Sequence, residues 1–452
     1  MPNNKIVFLL LALIIAAFLV VGGLYAVHTP PWQAPDEPAH YNYIAQVATA
    51  GCCPVIAPGD WDAAYLETLK ANQFPDDADL SAIEYEDHQP PLYYLVGALI
   101  YRLSGGALLG LRWLSLAFGA GVVAAVYWIV ARLFPRQQPI ALAAAAFVAF
   151  LPQHVAILAS VNNDSLAELV LSLLLVAAVA YLGNPPPMRA AKPPAALLGG
   201  LLGVAFLTKL TIYGPALLAV AVAILLRWRT ERCSLRWLIG QAAQAAAPAL
   251  LLGALWWGRN VAIYGWPDIL AQSAHAAVVV GQPRTADLIA EVGFGPYLGQ
   301  LLTTTYHSFW GQFGWMGVPM PPRVYLFIGL FLLGDLVGLA VLLAAFRGRQ
   351  RLEAPQQNGL GVLGAAALAT LAQYAYYNLT FVQFQGRYLY PALPLLALAV
   401  AAGLYGWALI IGCAMRGERW GRLLGWLPLV GLGWLPLLAI YALYRYVIPL
   451  LD

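Results

Sequence analysis

The run "IVFLLLALIIAAFLVVGGLYAVHTPPWQAPDEPAHYNY", residues 6–43, decides the fold. Residues 6–27 carry no charge and are long enough to cross the ~30 Å of a bilayer's hydrocarbon. A signal peptide is the rival reading. The apolar run exceeds the usual core of about 7–15 residues and no small-x-small cleavage site follows, so an uncleaved first transmembrane helix is expected. Directly after it come four prolines, the Asp36–Glu37 pair and His40. Two carboxylates and an imidazole at a membrane edge are costly company for lipid, so the rest of the chain must explain them.

The composition extends that reading to the whole molecule. The 452 residues are 61% hydrophobic and only 10% charged, with a mean hydropathy of +0.71. A soluble chain would carry about 25% charge, so most of this protein is solvated by lipid. A formal charge of +3 without a basic tract gives no reason to expect a nucleic-acid partner. Four cysteines, two of them vicinal at Cys52–Cys53, are too few for a disulfide scaffold and lack metal-binding spacing.

Apolar stretches of spanning length recur near 6–27, 108–133, 139–159, 164–182, 195–209, 211–228, 237–258, 324–346, 359–378, 388–411 and 423–444. The expectation is an all-α polytopic membrane protein with about 11 transmembrane helices. The segment 195–209 is short and either extends past its turn or forms a broken pair with the next. "PPLYYLVGALIYRL" (90–103) is also short and suits a re-entrant or interfacial helix; counting it as a span gives 12. The loops fall into two alternating kinds. Lys5 and the loops 132–138, 184–192, 227–236, 347–353 and 415–422 hold 15 of the 24 Lys and Arg. The positive-inside rule places them, and the N-terminus, in the cytoplasm of a bacterial-type plasma membrane. The other set (28–107, 160–164, 259–323 and 379–387) is acidic, aromatic and Pro-rich, and all six histidines fall in it or at its edge. The working face is therefore expected to be extracytoplasmic. The chain reads as one membrane module, 1–452, with a first large extracytoplasmic loop at 28–107 bearing interfacial helices and a second at 259–323.

Three acidic groups could do chemistry. In "APDEPAHYNYIAQVA" the bland reading is that Asp36 caps a helix starting near Pro38. If so, Asp36 and His40 lie i and i+4 on one face, and Glu37 and Tyr41 on another. A carboxylate beside an imidazole is equally a general base or part of a metal site. In "EYEDHQPPLYY", Glu86, Asp87 and His88 precede a Pro-Pro that launches an apolar helix. In "VNNDSLAEL", Asp164 caps the next span or faces a cavity. Cations at the same edge are rarer. Arg112, Lys209, Arg259 and Arg387 lie in or beside apolar sequence against the positive-inside bias, which fits partners of a lipid phosphate better than four separate snorkelling side chains. No P-loop, strand-borne GxGxxG, GxSxG or HExxH is present. Asp77-Ala-Asp79 lacks a nucleotide fold around it.

Taken together, "PPWQAPDEPAHYNYI", "HQPPLYYLVGALIYRL", "VNNDSLAELVLSL", "GLLGVAFLTKLTIYGPALL", "WWGRNVAIYGWPD", "SFWGQFGWMGVPMP" and "VQFQGRYLYPALPLL" resemble the GT-C superfamily of membrane glycosyltransferases. The resemblance is to its protein O-mannosyltransferase and aminoarabinose-transferase branch, and to bacterial relatives described only as predicted membrane proteins. It implies a GT-C fold and transfer of a sugar from a polyprenyl-phosphate donor to a protein, glycan or lipid acceptor hydroxyl. It also implies catalysis in the first loop, with Asp36 as the acid that activates the acceptor or helps hold a metal, Glu37 beside it, and His88 in the same cavity. Lys209, Arg259 and Arg387 would meet the donor phosphate. A divalent ion is an open expectation, with Asp36, Glu37, His40 and His88 as its candidate ligands. His40, Tyr41, Asp164, Trp310 and Trp315 are candidate cavity residues, the aromatics as platforms for sugar rings. Two rivals stay open: a lipid-linked-sugar flippase, which would favour internal symmetry and mid-span charges where only Asp335 stands out, and a non-catalytic subunit of a membrane complex.

Overall fold

The computed structural model describes residues 4–183, 192–348, 352–415 and 423–451. Of the predicted basic loops at 184–192, 347–353 and 415–422, residues 184–191, 349–351 and 416–422 lie outside the described residues. The chain is all-α, with helices α1 (Asn4–His28), α2 (Glu37–Thr49), α3 (Ala63–Ala71), α4 (Leu92–Ser104), α5 (Leu108–Leu133), α6 (Gln138–Phe150), α7 (Pro152–Leu158), α8 (Asp164–Leu182) and α9 (Ala195–Phe206). Then come α10 (Tyr213–Thr230), α11 (Leu235–Tyr264), α12 (Gln272–Val278), α13 (Thr285–Val292), α14 (Phe294–Trp310), α15 (Pro322–Gly348), α16 (Ala354–Asn378) and α17 (Leu393–Ala414), followed by short turns of helix up to residue 451. Among the described residues the β structure is one two-residue antiparallel pair, Gln312–Phe313 with Val318–Pro319, and a single bridge between Arg284 and Phe381.

Nine helical segments among the described residues are long and apolar enough to span a bilayer. They coincide with nine of the eleven predicted spans. The predicted span 139–159 is instead a pair, α6 and α7, bent by 65°. Pro152 is the cause: it pushes Leu151 to an extended conformation and brings no N–H for the carbonyl of Val148. That carbonyl is not left bare in an apolar setting, because the ring of His154 reaches it at 2.8 Å through Nδ1. On its other side Nε2 meets Glu168 at 2.7 Å.

The predicted span 195–209 is a 12-residue helix that stops at Phe206. At 1.5 Å per residue it covers roughly 18 Å, short of the hydrocarbon thickness. It docks tightly on α11 because Gly199 has no side chain: a Cβ there would stand 1.9 Å from the carbonyl oxygen of Ala245. The chain then runs extended through Lys209 before a 3-10 turn feeds α10. Helix α4, the segment with two possible counts, has 13 residues and is likewise too short to cross alone. Tyr93, Tyr94, Gly97 and Ala98 are buried, whereas Leu95, Leu99 and Leu103 form an exposed apolar stripe.

The two long loops share a small core of their own. Ile56, Leu66, Leu69, Phe74, Ile83 and Tyr85 pack with Ala39 from α2 and with Val279 from the second loop. That core roofs the face on which α2, α8, the 207–212 turn and the 3-10 turn Gly386–Ala392 end, and a cavity lies beneath it.

Candidate functional site

The cavity has a volume of about 910 Å³, at the upper end of the usual range of ligand pockets. Asp36, His40, His88, Lys209, Arg387 and Trp315 all line it. These six come from five separate stretches of the chain.

Asp36 precedes α2 but does not cap it. Its backbone is left-handed, with φ of 66°, and its carboxylate makes no capping hydrogen bond. The side chain turns into the cavity, where Oδ1 accepts from the Tyr85 hydroxyl at 2.8 Å and Oδ2 accepts from Arg387 Nη2 at 2.5 Å. The capping reading of Asp36 is thus corrected: the strained conformation aims the carboxylate away from the helix it introduces. Burial raises the carboxyl's pKa, but Arg387 and His40 outweigh it and bring it to about 2.

Arg387 rides on the 3-10 turn Gly386–Ala392. Gly386 lets that turn lie on α14, since a Cβ would be 2.3 Å from the amide nitrogen of Phe309. The guanidinium gives Nε to Gln385 Oε1 at 2.7 Å and Nη2 to Asp36. Nη1 has no hydrogen-bond partner and lies 4.0 Å from Asp164 Oδ2. Lys209 reaches Asp164 Oδ1 at 2.6 Å from the break between α9 and α10. Two carboxylates and two cations therefore alternate, Asp36–Arg387–Asp164–Lys209. Asp164 supports the cavity from behind rather than lining it.

His88 donates Nδ1–H to the carbonyl of Tyr85 at 3.0 Å, which leaves Nε2 as its acceptor, 3.4 Å from the Gln89 amide nitrogen. Its ring lies 4.1 Å from that of His275. Burial lowers His88 to about 4, and burial with the neighbouring His88 lowers His275 to about 3, so both imidazoles are neutral near pH 7. His40 is 2.9 Å from the Tyr94 hydroxyl, and burial lowers its pKa as well.

The other expected residues lie elsewhere. Glu37 and Arg112 form a buried pair behind the cavity wall. Arg112 Nε and Nη2 meet the two Glu37 oxygens at 2.9 and 2.6 Å, and the backbone amides of Val161 and Trp32 add 3.0 and 3.1 Å bonds. Arg112 also gives Nη1 to the carbonyls of Ala26 and Thr29 and Nη2 to that of Pro30. With its donors so committed, Arg112 ties α1, α5 and the start of α2 together. Arg259 clamps the carbonyls of Cys53 and Pro54 and stacks on Trp256 at 4.7 Å. Tyr41 donates to Gly106 and meets Trp32 edge-on. Trp310 is buried against Phe147 and Trp434, among helices rather than in the cavity. Trp315 lines the cavity, with its indole N–H fixed on the carbonyl of Trp32.

A metal cage does not assemble from Asp36, Glu37, His40 and His88. Glu37 is saturated by four donors, and among the described residues no three His, Cys, Asp or Glu side chains converge as metal ligands. The sequence reading did not single out Tyr85, Gln383 and Gln385. Tyr85 carried no signal, whereas the alternation "QFQ" beside Arg387 did.

Comparison with known proteins agrees with this architecture. The chain is similar to ArnT from Cupriavidus metallidurans in its apo state, at 16% identity and a TM-score of 0.54, covering 100% of this chain and 74% of that one. Against the same protein bound to undecaprenyl phosphate the values are 17%, 0.48, 99% and 74%. An oligosaccharyltransferase from Archaeoglobus fulgidus, tethered to an acceptor peptide, gives 14% and 0.42 over 97% of this chain and 55% of that one. No curated protein matches the sequence. The fold is the GT-C fold, borne by an integral membrane protein. A family described as predicted membrane protein, DUF2142, matches residues 53–396, and the chain belongs to that family.

Proposed function

We propose that the chain is a glycosyltransferase that moves a sugar from a polyprenyl-phosphate donor to an acceptor hydroxyl on the extracytoplasmic face of a bacterial-type plasma membrane. One observation carries the reading: Asp36, Arg387 and Lys209 share one cavity, and Arg387 holds a buried N–H with no hydrogen-bond partner. A guanidinium with an open donor beside an ammonium fits the oxygens of a phosphate. The likeness in fold to ArnT supports it.

The chemistry follows from that placement. The acceptor oxygen attacks the anomeric carbon and its proton passes to a carboxylate oxygen of Asp36. The bond from the anomeric carbon to the phosphate oxygen breaks, and the electron pair leaves on the polyprenyl phosphate, whose charge Arg387 and Lys209 hold. A carboxyl near pKa 2 is a weak base while Arg387 grips it. A donor phosphate that takes over part of Arg387 raises the basicity of Asp36, so the base strengthens when the donor arrives. His88 stands by with Nε2 as an acceptor, 3.4 Å from the Gln89 amide nitrogen. Glu37, Arg112 and Arg259 act at a distance by holding the loops. The acceptor is a protein, glycan or lipid. The test is transfer from radiolabelled polyprenyl-phosphate sugars by the purified protein, with Asp36→Asn in parallel. Unchanged transfer by Asp36→Asn would remove Asp36 as the base; no transfer by the natural protein with any donor would overturn the enzyme reading.

A further inference from the structure

The cavity wall beyond the ion pairs is built of amides. Gln89, Gln272, Gln282, Gln373, Gln383 and Gln385 all line it. The local sequence explains the last two. Residues 382–385 belong to no helix or strand, and Phe384 is buried between two partly exposed glutamines, Gln383 and Gln385. Phe384 is buried against Tyr297, and both amides face the cavity. Gln385 donates to Gln383 Oε1 at 3.1 Å and accepts from Arg387 Nε at 2.7 Å. The wall therefore begins one hydrogen bond from the proposed phosphate cation. Two of its carbonyl oxygens, Gln89 Oε1 and Gln373 Oε1, are buried without a partner. Buried polar atoms are seldom left so unless something else completes them.

We propose that this glutamine wall is the subsite for the donor's sugar and that it selects an uncharged, hydroxyl-rich ring over an amino sugar or a uronate. The inference rests on the polyprenyl-phosphate reading above. An amide offers a donor and an acceptor side by side without charge, which matches a hydroxyl that also does both. Apart from Glu86, the charges in the cavity are already answered. Of the carboxyls lining it, Asp36 pairs with Arg387 and Glu67 with Lys70, while Lys209 pairs with Asp164 behind the wall. Glu86 keeps one oxygen without a partner, but burial raises its pKa and favours its neutral form, so it offers an ammonium little charge. The ring falls on the wall because the anomeric carbon is one bond from the phosphate oxygen that Arg387 would hold.

The experiment is a lipid series on the purified protein in nanodiscs, read by quenching of the indoles that line the cavity. The probes are undecaprenyl phosphate alone and its glucosyl, mannosyl, aminoarabinosyl and glucuronosyl forms. A neutral hexosyl lipid should bind about tenfold or more tighter than the bare phosphate lipid, as added hydrogen bonds to a buried ring would give. Gln373→Leu and Gln383→Leu should erase that advantage. No gain from a neutral sugar, or a larger gain from a charged one, overturns the selectivity even though the bare lipid binds. Failure of undecaprenyl phosphate itself to bind overturns the donor reading and the wall's role with it. A free hexose that gives the full gain on the lipid-loaded protein assigns the wall to the acceptor and overturns its place in the donor site. The natural protein's lipid series decides the matter without the variants.

Discussion

Asp36 and Glu37 are neighbours in sequence, both carboxylates, both paired with an arginine, and they end in opposite circumstances. Glu37 is fully buried, with four donors on two oxygens and a guanidinium whose donors are all committed. Asp36 lies at a cavity with two donors, and its arginine keeps Nη1 without a hydrogen-bond partner. The first pair is closed and holds loops together. The second is incomplete, and incompleteness is what leaves room for a ligand. The number of donors left over, rather than the presence of an ion pair, separates the carboxylate that holds the loops from the one proposed to work.

The largest expected effect tests the open pair. Asp36→Asn should lower sugar transfer by about 10²–10⁴-fold, the usual range for a lost general base. It should disturb the thermal midpoint less than any change at Glu37. The closed pair should behave the other way round. Glu37→Gln leaves Arg112 buried with its charge unpaired, at a cost of about 3–5 kcal/mol. The readout is melting and yield in detergent; an unshifted midpoint would mean the pair does not hold the loops. A third comparison uses Arg387→Lys, which keeps the charge and removes the planar fork. Affinity for undecaprenyl phosphate should fall about tenfold, whereas Arg112→Lys should leave it alone and lower the midpoint.

The smallest effect is in pH. His88 and His275 are held below their ordinary value of 6.5, at about 4 and about 3. The unfolded chain then binds more protons between those values, so stability falls as pH drops from 6.5 toward 4. Asp36 is depressed from 3.8 to about 2, so its contribution is present above 3.8 and is lost only as pH falls through 2. Melting midpoints of His88→Gln and Asp36→Asn across pH 7 to 3 check both: the histidine variant should flatten the upper part of the slope and the aspartate variant only its foot.

Much of the fold was legible because a span is a local property. Residues 6–27 or 108–133 announce themselves by length and lack of charge, and the observed helices match them. The breaks were harder. Pro152 was visible in "FLPQHV", but the compensation by His154 that lets the chain bend 65° depends on Glu168 in the following helix. The shortness of 195–209 was visible as length, yet its end at Phe206 follows from docking on α11. The site was half legible. Asp36, His40 and His88 line one cavity, where the resemblance had put Asp36 and His88, and Lys209 and Arg387 lie in it too. Arg112 reads the same as Arg387 in sequence, because what distinguishes them is the company each finds. Arg112 meets a carboxylate 75 positions away and Arg387 one 351 positions away. No spacing rule reaches that far.

The backbone of Asp36 has a consequence for selection. At φ of 66° a glycine would sit with less strain, and a side chain there costs about 1 kcal/mol or more. A lineage choosing only for a durable fold would drift toward glycine at that torsion. An aspartate held there fits the base proposed at this position, because the turn brings its carboxylate to the cavity. Asparagine, which tolerates the same angle, is therefore the replacement that isolates the lost charge from the lost shape.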